Sequence, residues 1–298
     1  MRLRRFLLGL FLSGAIGLLA ERRGSLTRSG ALGAVLTGTT IFGFGGLAWG
    51  LTLIYFFLSS TLLSHFKERE KSAIAADKFS KGTRRDLAQA LANAGVASAA
   101  ALAYGLRRDA SPSLLAAFVG ALATANGDTW ATEVGTLSQD SPRLITSGQP
   151  VAPGTSGGVT LLGTGAALAG AASVGLVAEV LGAGARGEAE KAGARRPQAP
   201  AAAGAGKGTR LRGRLMLLGL IGGMAGTLTD SVLGATAQAM YWCPRCEKET
   251  ERRVHRCGQQ TTHLRGWRWL DNDGVNFVST AAGAAVAALL ARALTRAG

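Results

Sequence analysis

The sequence predicts an all-α, polytopic membrane bundle of about seven or eight spans, and three observations carry that prediction. Apolar residues make up 47% of the chain and charged residues 17%, against about 25% charged in ordinary soluble domains. The apolar residues gather in helix-length runs separated by basic loops. Glycine, 43 of 298 residues, lies inside those runs beside Ala, Ser and Thr, where small side chains let helix backbones approach closely. A formal charge of +15 would point a soluble chain toward nucleic acid. Here the basic residues flank apolar runs, without the interleaved aromatics that stack bases. No nucleic-acid partner is expected; such Lys and Arg residues set orientation and meet the anionic head groups of membrane lipids.

Taken in order, Arg2, Arg4 and Arg5 precede the first run, 6–20. Glu21-Arg22-Arg23 follows where a signal peptide would need small residues, so the run is read as a retained helix. Residues 29–66 hold no Lys, Arg, Asp or Glu, enough for two spans with a break at the glycines of 43–46. A charged segment ending in Lys81, Arg84 and Arg85 leads to the fourth run, 87–106. There Gln89 and Asn93, at i and i+4, make one polar spot on an Ala-rich helix. The fifth run begins after Pro112, the sixth covers 159–182, the seventh 215–239 and the eighth 277–294. Residues 183–213 are Ala, Gly, Pro, Arg and Lys without apolar periodicity, and read as a low-complexity linker inside one membrane domain of 1–298.

Polar residues embedded in these runs carry the functional reading. The fifth run ends in Asn126, Asp128 and Glu133. Carboxylates at membrane depth are costly, and they usually face a bundle interior or a watery cavity. On a continuing helix Asn126 and Glu133 share one face with Asp128 beside it, a set of oxygen ligands suited to Mg²⁺ and substrate phosphates. Capping by Asp128, or polar packing between helices, would leave Glu133 unexplained. The seventh run carries Asp230 and Ser231 on a polar stripe, and Asp-Ser there echoes Asp-Thr at 128 as a faint internal repeat. Arg143 sits in the loop before Gly154, Thr155, Ser156, Gly157 and Gly158. That stretch, placed at a helix start, offers backbone N–H groups and hydroxyls to a phosphate, or serves as a flexible N-cap. Before the eighth run lie Asp271, Asn272, Asp273 and Asn276, more polar groups than a cap needs, read as metal or nucleotide contacts.

Every cysteine and two of the three histidines fall between 243 and 263. Cys243-Pro-Arg-Cys246, Cys257 and either His255 or His263 would complete a closed, structural tetrahedral zinc site in a loop spanning 241–268; a reactive or disulfide-bonded Cys pair is the alternative. Alternation of eight runs puts Lys81, Arg84, Arg85, Asp128, Glu133, Arg143, residues 154–158, Asp230, Asp271 and Asp273 on one face. That face carries most of the Lys and Arg outside the linker, which makes it cytoplasmic. Acids for a metal and Arg or Lys for phosphates, beside a membrane, point to phosphoryl transfer, with Asp128, Glu133 and Asp230 on Mg²⁺ and Arg84, Arg85 and Arg143 on the acceptor phosphate.

The stretches Ala-Asn-Gly-Asp-Thr-Trp-Ala-Thr-Glu-Val-Gly (125–135), Pro-Arg-Leu-Ile (142–145), Pro-Gly-Thr-Ser-Gly-Gly-Val (153–159), Asp-Ser-Val-Leu-Gly-Ala (230–235) and Trp-Leu-Asp-Asn-Asp (269–273) resemble an integral-membrane family once called domain of unknown function ninety-two. That family includes the phytyl-phosphate kinase of tocopherol synthesis. The resemblance spans about 81–276 and implies transfer of a phosphate from a nucleoside triphosphate, CTP by kinship with polyprenol kinases, to a prenyl or phytyl monophosphate. A membrane carrier of prenyl phosphates would use similar intramembrane acids and helix termini; nucleotide turnover separates the two readings.

Overall fold

The computed structural model describes residues 2–68, 70–71, 84–107, 111–191, 211 and 213–296. Lys81 lies outside them. Eight helices dominate: α1 (Arg2–Arg22), α2 (Arg28–Thr40), α3 (Leu47–His65), α4 (Leu87–Leu106), α5 (Pro112–Gly135), α6 (Leu161–Lys191), α7 (Leu215–Thr236) and α8 (Asn272–Arg296). The break expected at 43–46 is a π-helical turn, Ile41–Gly45, followed by Gly46 at φ +90°, which frees the chain to start α3 in a new direction. Helices α1, α3, α4, α6, α7 and α8 are each long and apolar enough to cross a membrane. Helix α5 is equally long but carries polar residues, and α2 with its π turn makes a shorter run. Of the stretch read as a linker, 183–191 continue α6 and Leu211 is buried in the helical core; 192–210 lie outside the described residues.

The bundle is built around α5. Pro112 opens it where the missing N–H costs nothing, and residues 118–127 are all buried. Helices α3, α4, α6, α7 and α8 all pack on it. Lipid is as apolar as leucine, so close approach of backbones has to replace the hydrophobic effect as the force between these helices. The approach is close where Gly120 of α5, Gly222 of α7 and Gly283 of α8 meet. A Cβ at Gly222 would stand 2.8 Å from the Gly283 carbonyl oxygen and 2.9 Å from Ala287 Cβ.

The same contacts set helix direction. Positions 119, 123 and 127 of α5 touch 219, 223 and 227 of α7, so those two helices run parallel. Asn126 meets Gly170 of α6 and Gly135 meets Gly163, so α6 runs antiparallel. On the other flank, Thr27 N donates to the Arg85 carbonyl (3.0 Å) and Arg85 N to that of Ser25 (3.1 Å), which ties the α1–α2 turn to the start of α4. The motif-bearing ends of the helices therefore collect at one end of the bundle. Glu179 caps α7 at the opposite end, accepting from the backbone N–H groups of Gly213, of Leu215 (2.9 Å) and of Met216 (3.4 Å), the favourable place for an acid at a helix N-terminus.

Two small sheets sit at the motif end. Strands β1 (Arg143–Leu144) and β2 (Gly158–Val159) form a short antiparallel pair, while β3 (Met240–Cys243) lies between β4 (Lys248–Thr250) and β5 (Thr262–Arg265). The three-stranded sheet is clamped to the bundle: Arg265 Nη1 donates to the Gly234 (2.9 Å) and Ala235 (2.7 Å) carbonyls at the end of α7, and its guanidinium pairs with Glu249 (3.0 Å). Those carbonyls are among the last of α7, which a helix cannot satisfy internally.

Gly222→Ala is expected to lower thermal stability in detergent by roughly 1–3 kcal/mol, because α7 and α8 must separate to admit one methyl group. Gly165→Ala, where a Cβ would meet nothing within 4 Å, should be neutral or slightly stabilising. Equal melting temperatures for the two variants would contradict the close-packed triad.

Candidate functional site

The acids of the motif end separate into two groups with different partners. Asn126, fully buried, has all four of its hydrogen-bonding positions engaged by protein: Oδ1 accepts from Ser59 (2.9 Å) and Ser60 (3.2 Å) of α3, and Nδ2 donates to the Gly170 carbonyl (2.8 Å) and Ser173 Oγ (3.4 Å) of α6. Its amide locks three helices together and leaves no position for a phosphate. Glu133 accepts from Ser64 Oγ (2.7 Å) and forms an ion pair with Lys71, itself buried and donating to the Leu63 (2.6 Å) and Ser64 (3.1 Å) carbonyls. Sequence reasoning passed over Lys71 because nothing in the charged segment distinguishes a lysine that folds back under α3 from one that faces water.

Asp128 and Asp230 form the second group. Parallel packing sets these residues of α5 and α7 at the same level, close enough for the Asp128 charge to act on Asp230, and Asp230 lies beside Ser279 of α8. The Ser279 hydroxyl donates to the Val275 carbonyl (2.8 Å). Asp230 Oδ2 is buried without a hydrogen-bond partner, and neither acid has an ion-pair partner among the described residues. Two neighbouring carboxylates, one of them with an orphaned oxygen, are groups that could hold a divalent cation. Beside Asp230, Ser231 back-bonds to the Thr227 carbonyl of its own helix (3.2 Å).

The Gly-Thr-Ser-Gly-Gly stretch (154–158) is not a helix start. It forms the turn and first residue of β2, and α6 begins later behind Thr160, whose Oγ1 accepts from Gly163 N (2.9 Å). The stretch is held against the end of α7. Gly157 has φ +81°, and a Cβ there would come within 2.6 Å of Ala235 N, so glycine alone fits. Ser156 Oγ donates to Gln238 Oε1 (2.8 Å), and Gln238 Nε2 donates to Glu251 Oε1 (2.9 Å). Glu251 acts in turn on Asp230. This polar chain runs from the turn to the acids, and Gln238 and Glu251 had no motif to announce them. Gly154 and Thr155 lie in the same turn.

Other predicted residues are placed more simply. Asp271 caps α8, its Oδ1 accepting from Gly274 N (3.0 Å), while Asn272, Asp273 and Asn276 lie in the first turns of the helix instead of the loop before it. Arg143, exposed, donates to the Gly148 carbonyl (2.9 Å), and Arg84 donates to that of Leu26 (3.0 Å); both bind nearby backbone. Arg85 is half-buried, and its guanidinium has no hydrogen-bond acceptor among the described residues. Desolvation lowers its pKa from the ordinary arginine value, and the nearby Glu133 carboxylate opposes that shift.

The Cys/His loop brings Cys243, Cys246, His255 and Cys257 together, with all four ligand atoms within 4.8 Å of one another. Cys243 and Cys257 Sγ are 3.7 Å apart, and His255 Nδ1 is 3.3 Å from Cys257 Sγ. A tetrahedral ion with metal–sulfur bonds of about 2.3 Å sets its sulfurs roughly 3.8 Å apart, close to the Cys243–Cys257 separation, so the cluster could hold such an ion. A hydrogen bond with His255, then one from the Gln259 backbone, brings the Cys257 thiol down to about 6, giving the thiolate that metals bind. The three cysteines are free, which leaves out the disulfide. His263 is the ligand candidate the structure removes: it sits edge-on to Tyr241, ring centroids 5.7 Å apart, outside the cluster.

Comparison with known proteins places this arrangement in a family. The chain is 33% identical over 288 residues to Protein PGR of Arabidopsis thaliana, covering 92% of each chain. It is 26% identical over 233 residues to an uncharacterised membrane protein of Methanocaldococcus jannaschii, covering 78% of this chain and 82% of that one. No solved structure matches it. The family profile described as Integral membrane protein DUF92 matches residues 11–284, and the chain belongs to that family of multi-pass membrane proteins.

Proposed function

We propose that the protein is a membrane kinase that transfers a phosphate from a nucleoside triphosphate, CTP being favoured, to a prenyl or phytyl monophosphate. The observation that carries this reading is the pairing of Asp128 and Asp230 across two parallel helices, with Arg85 and Glu133 at the same end of the bundle. Neighbouring carboxylates without an ion-pair partner among the described residues suit Mg²⁺, which Asp128 and Asp230 would hold, with Glu133 already committed to Lys71. When bound, the ion would neutralise charge on the donor phosphates. An oxygen of the prenyl monophosphate attacks the γ-phosphorus, the bond from that phosphorus to the bridging oxygen breaks, and the nucleoside diphosphate leaves with the electron pair. The nucleophile is already anionic, so no general base is required. The protein's part is positioning and charge neutralisation: Arg85 faces the acceptor phosphate, and the turn holding Ser156 and Gly157 lies beside the acids to receive the donor. Nucleotide and Mg²⁺ are cytosolic, which puts the motif end on the cytoplasmic side of the membrane, in keeping with the basic loops.

The Cys/His cluster is assigned structural Zn²⁺, with Cys243, Cys246, His255 and Cys257 as a closed set of ligands. It fixes the sheet that carries Gln238 and Arg265 against the end of α7.

Asp128→Asn and Asp230→Asn should each reduce nucleotide-dependent phosphorylation of prenyl monophosphate in membranes by about a hundredfold or more while the protein still inserts. Either variant retaining full turnover would overturn the assignment. Nucleotide consumption that does not depend on the prenyl phosphate would exclude the kinase, and uptake of prenyl phosphate without consumption would make the protein a carrier. His255→Gln should abolish zinc binding, from about one ion per chain, whereas His263→Gln should retain it. Equal metal content in the two variants would remove the zinc site as described.

A further inference from the structure

Between α1, α2, α3 and α4 lies a cavity of about 80 Å³, open on one side. Its walls are apolar, with Ile16, Phe42, Leu53, Phe56 and Phe57 among them. Arg85, Gln89 and Asn93 line it at the motif end. Gln89 is partly occupied, its Oε1 accepting from Asp86 N (3.1 Å) in the capping box of α4. The Arg85 guanidinium and the Asn93 amide have no hydrogen-bond partner among the described residues. A partly desolvated guanidinium is costly without an anion, and the carboxylate that acts on it among the described residues, Glu133, already serves Lys71 and Ser64. On α2 the lining residues extend from Gly30 to Gly38 and on to Phe42 in the π turn, about 18 Å at 1.5 Å per residue. The cavity is therefore long, apolar and charged at one end, and the charged end lies near Glu133 of α5.

We infer that this cavity seats the hydrocarbon chain of a prenyl monophosphate, with its phosphate on Arg85 and Asn93 and its tail directed between α1, α2 and α3 toward Phe42. The inference rests on the kinase reading for the identity of the substrate, but the cavity stands apart from Asp128 and Asp230. It separates the two jobs of the molecule: α1–α4 select the lipid, and α5–α8 carry the chemistry. A single cationic head position with apolar walls suits one chain bearing one phosphate. Chain-length preference then follows from the depth of the slot, and the narrow residues Ala34 and Ala94 keep it open.

The test is equilibrium binding of tritiated geranylgeranyl monophosphate to the full-length protein in detergent. Ala34→Phe should weaken binding about tenfold or more and leave the affinity for dimethylallyl monophosphate unchanged, because the short chain does not reach the obstruction. Arg85→Gln should reduce the affinity to that of geranylgeraniol. Independently of any variant's folding, a benzophenone-bearing prenyl monophosphate should label peptides of α1, α2 or α3 in the wild-type protein, and dioleoyl phosphatidic acid should fail to compete. Labelling confined to α6–α8, unchanged binding in Ala34→Phe, or full competition by phosphatidic acid would each overturn the proposal. Tight, chain-length-dependent binding without nucleotide turnover would sink the kinase reading alone; turnover with no sensitivity to Ala34→Phe would sink the cavity alone.

Discussion

A helix that carries Asn126, Asp128 and Glu133 cannot face hydrocarbon, and shielding α5 from lipid is the constraint on which the rest of the structure depends. Five helices surround it, and they reach it because glycines at 120, 222 and 283 remove the side chains that would hold the backbones apart. Hydrogen bonds alone would not suffice, since an interhelical side-chain bond in a membrane contributes only about 0.6 to 1.7 kcal/mol. Asn126 makes four, to α3 and α6, and they add specificity of register to an approach that the glycines permit.

From that shielding follows the division of polar work along α5. Where the helix is deepest, its polar group is saturated and structural. Two residues further, Asp128 lies near Asp230 without an ion-pair partner among the described residues, and two turns beyond Asn126 Glu133 is bound to a buried lysine. Only the middle position is left available to a ligand. The tie between the α1–α2 turn and Arg85 brings a guanidinium without a hydrogen-bond partner among the described residues to the same end of the bundle, at the head of an apolar cavity. Arg85 thus stands between the acids at the end of the bundle and the apolar cavity among α1–α4. The β-sheet at the motif end is a brace: Arg265 and Gln238 connect it to α7 and to the turn at 154–158.

The sequence and the structure agree most closely where a pattern is long. The apolar runs, the break at 43–46 and the Cys/His spacing all became elements near the positions read for them. Differences arise where a residue type serves two purposes. A glycine-serine stretch before a helix looks the same whether it caps the helix or turns a hairpin, and β1–β2 pairing across the intervening loop decided for the hairpin. His255 and His263 are equivalent by composition, but strand β5 turns His263 toward Tyr241. Asp271 in a cluster of acids and amides is a cap because Gly274 N lies 3.0 Å from it.

Composition and spacing by themselves determined the membrane bundle, the family and the identities of the acids, because hydropathy and motif order are local properties of a chain. The partner of each polar group was decided by tertiary structure alone. Asp128 and Asp230 are brought face to face by the parallel packing of two helices a hundred positions apart. Lys71 is drawn to Glu133, and Arg85 is set at the head of a slot between helices that share no motif. Those outcomes depend on which helix faces which, and that is fixed by close contacts between small residues whose sequence signal is the same on every face.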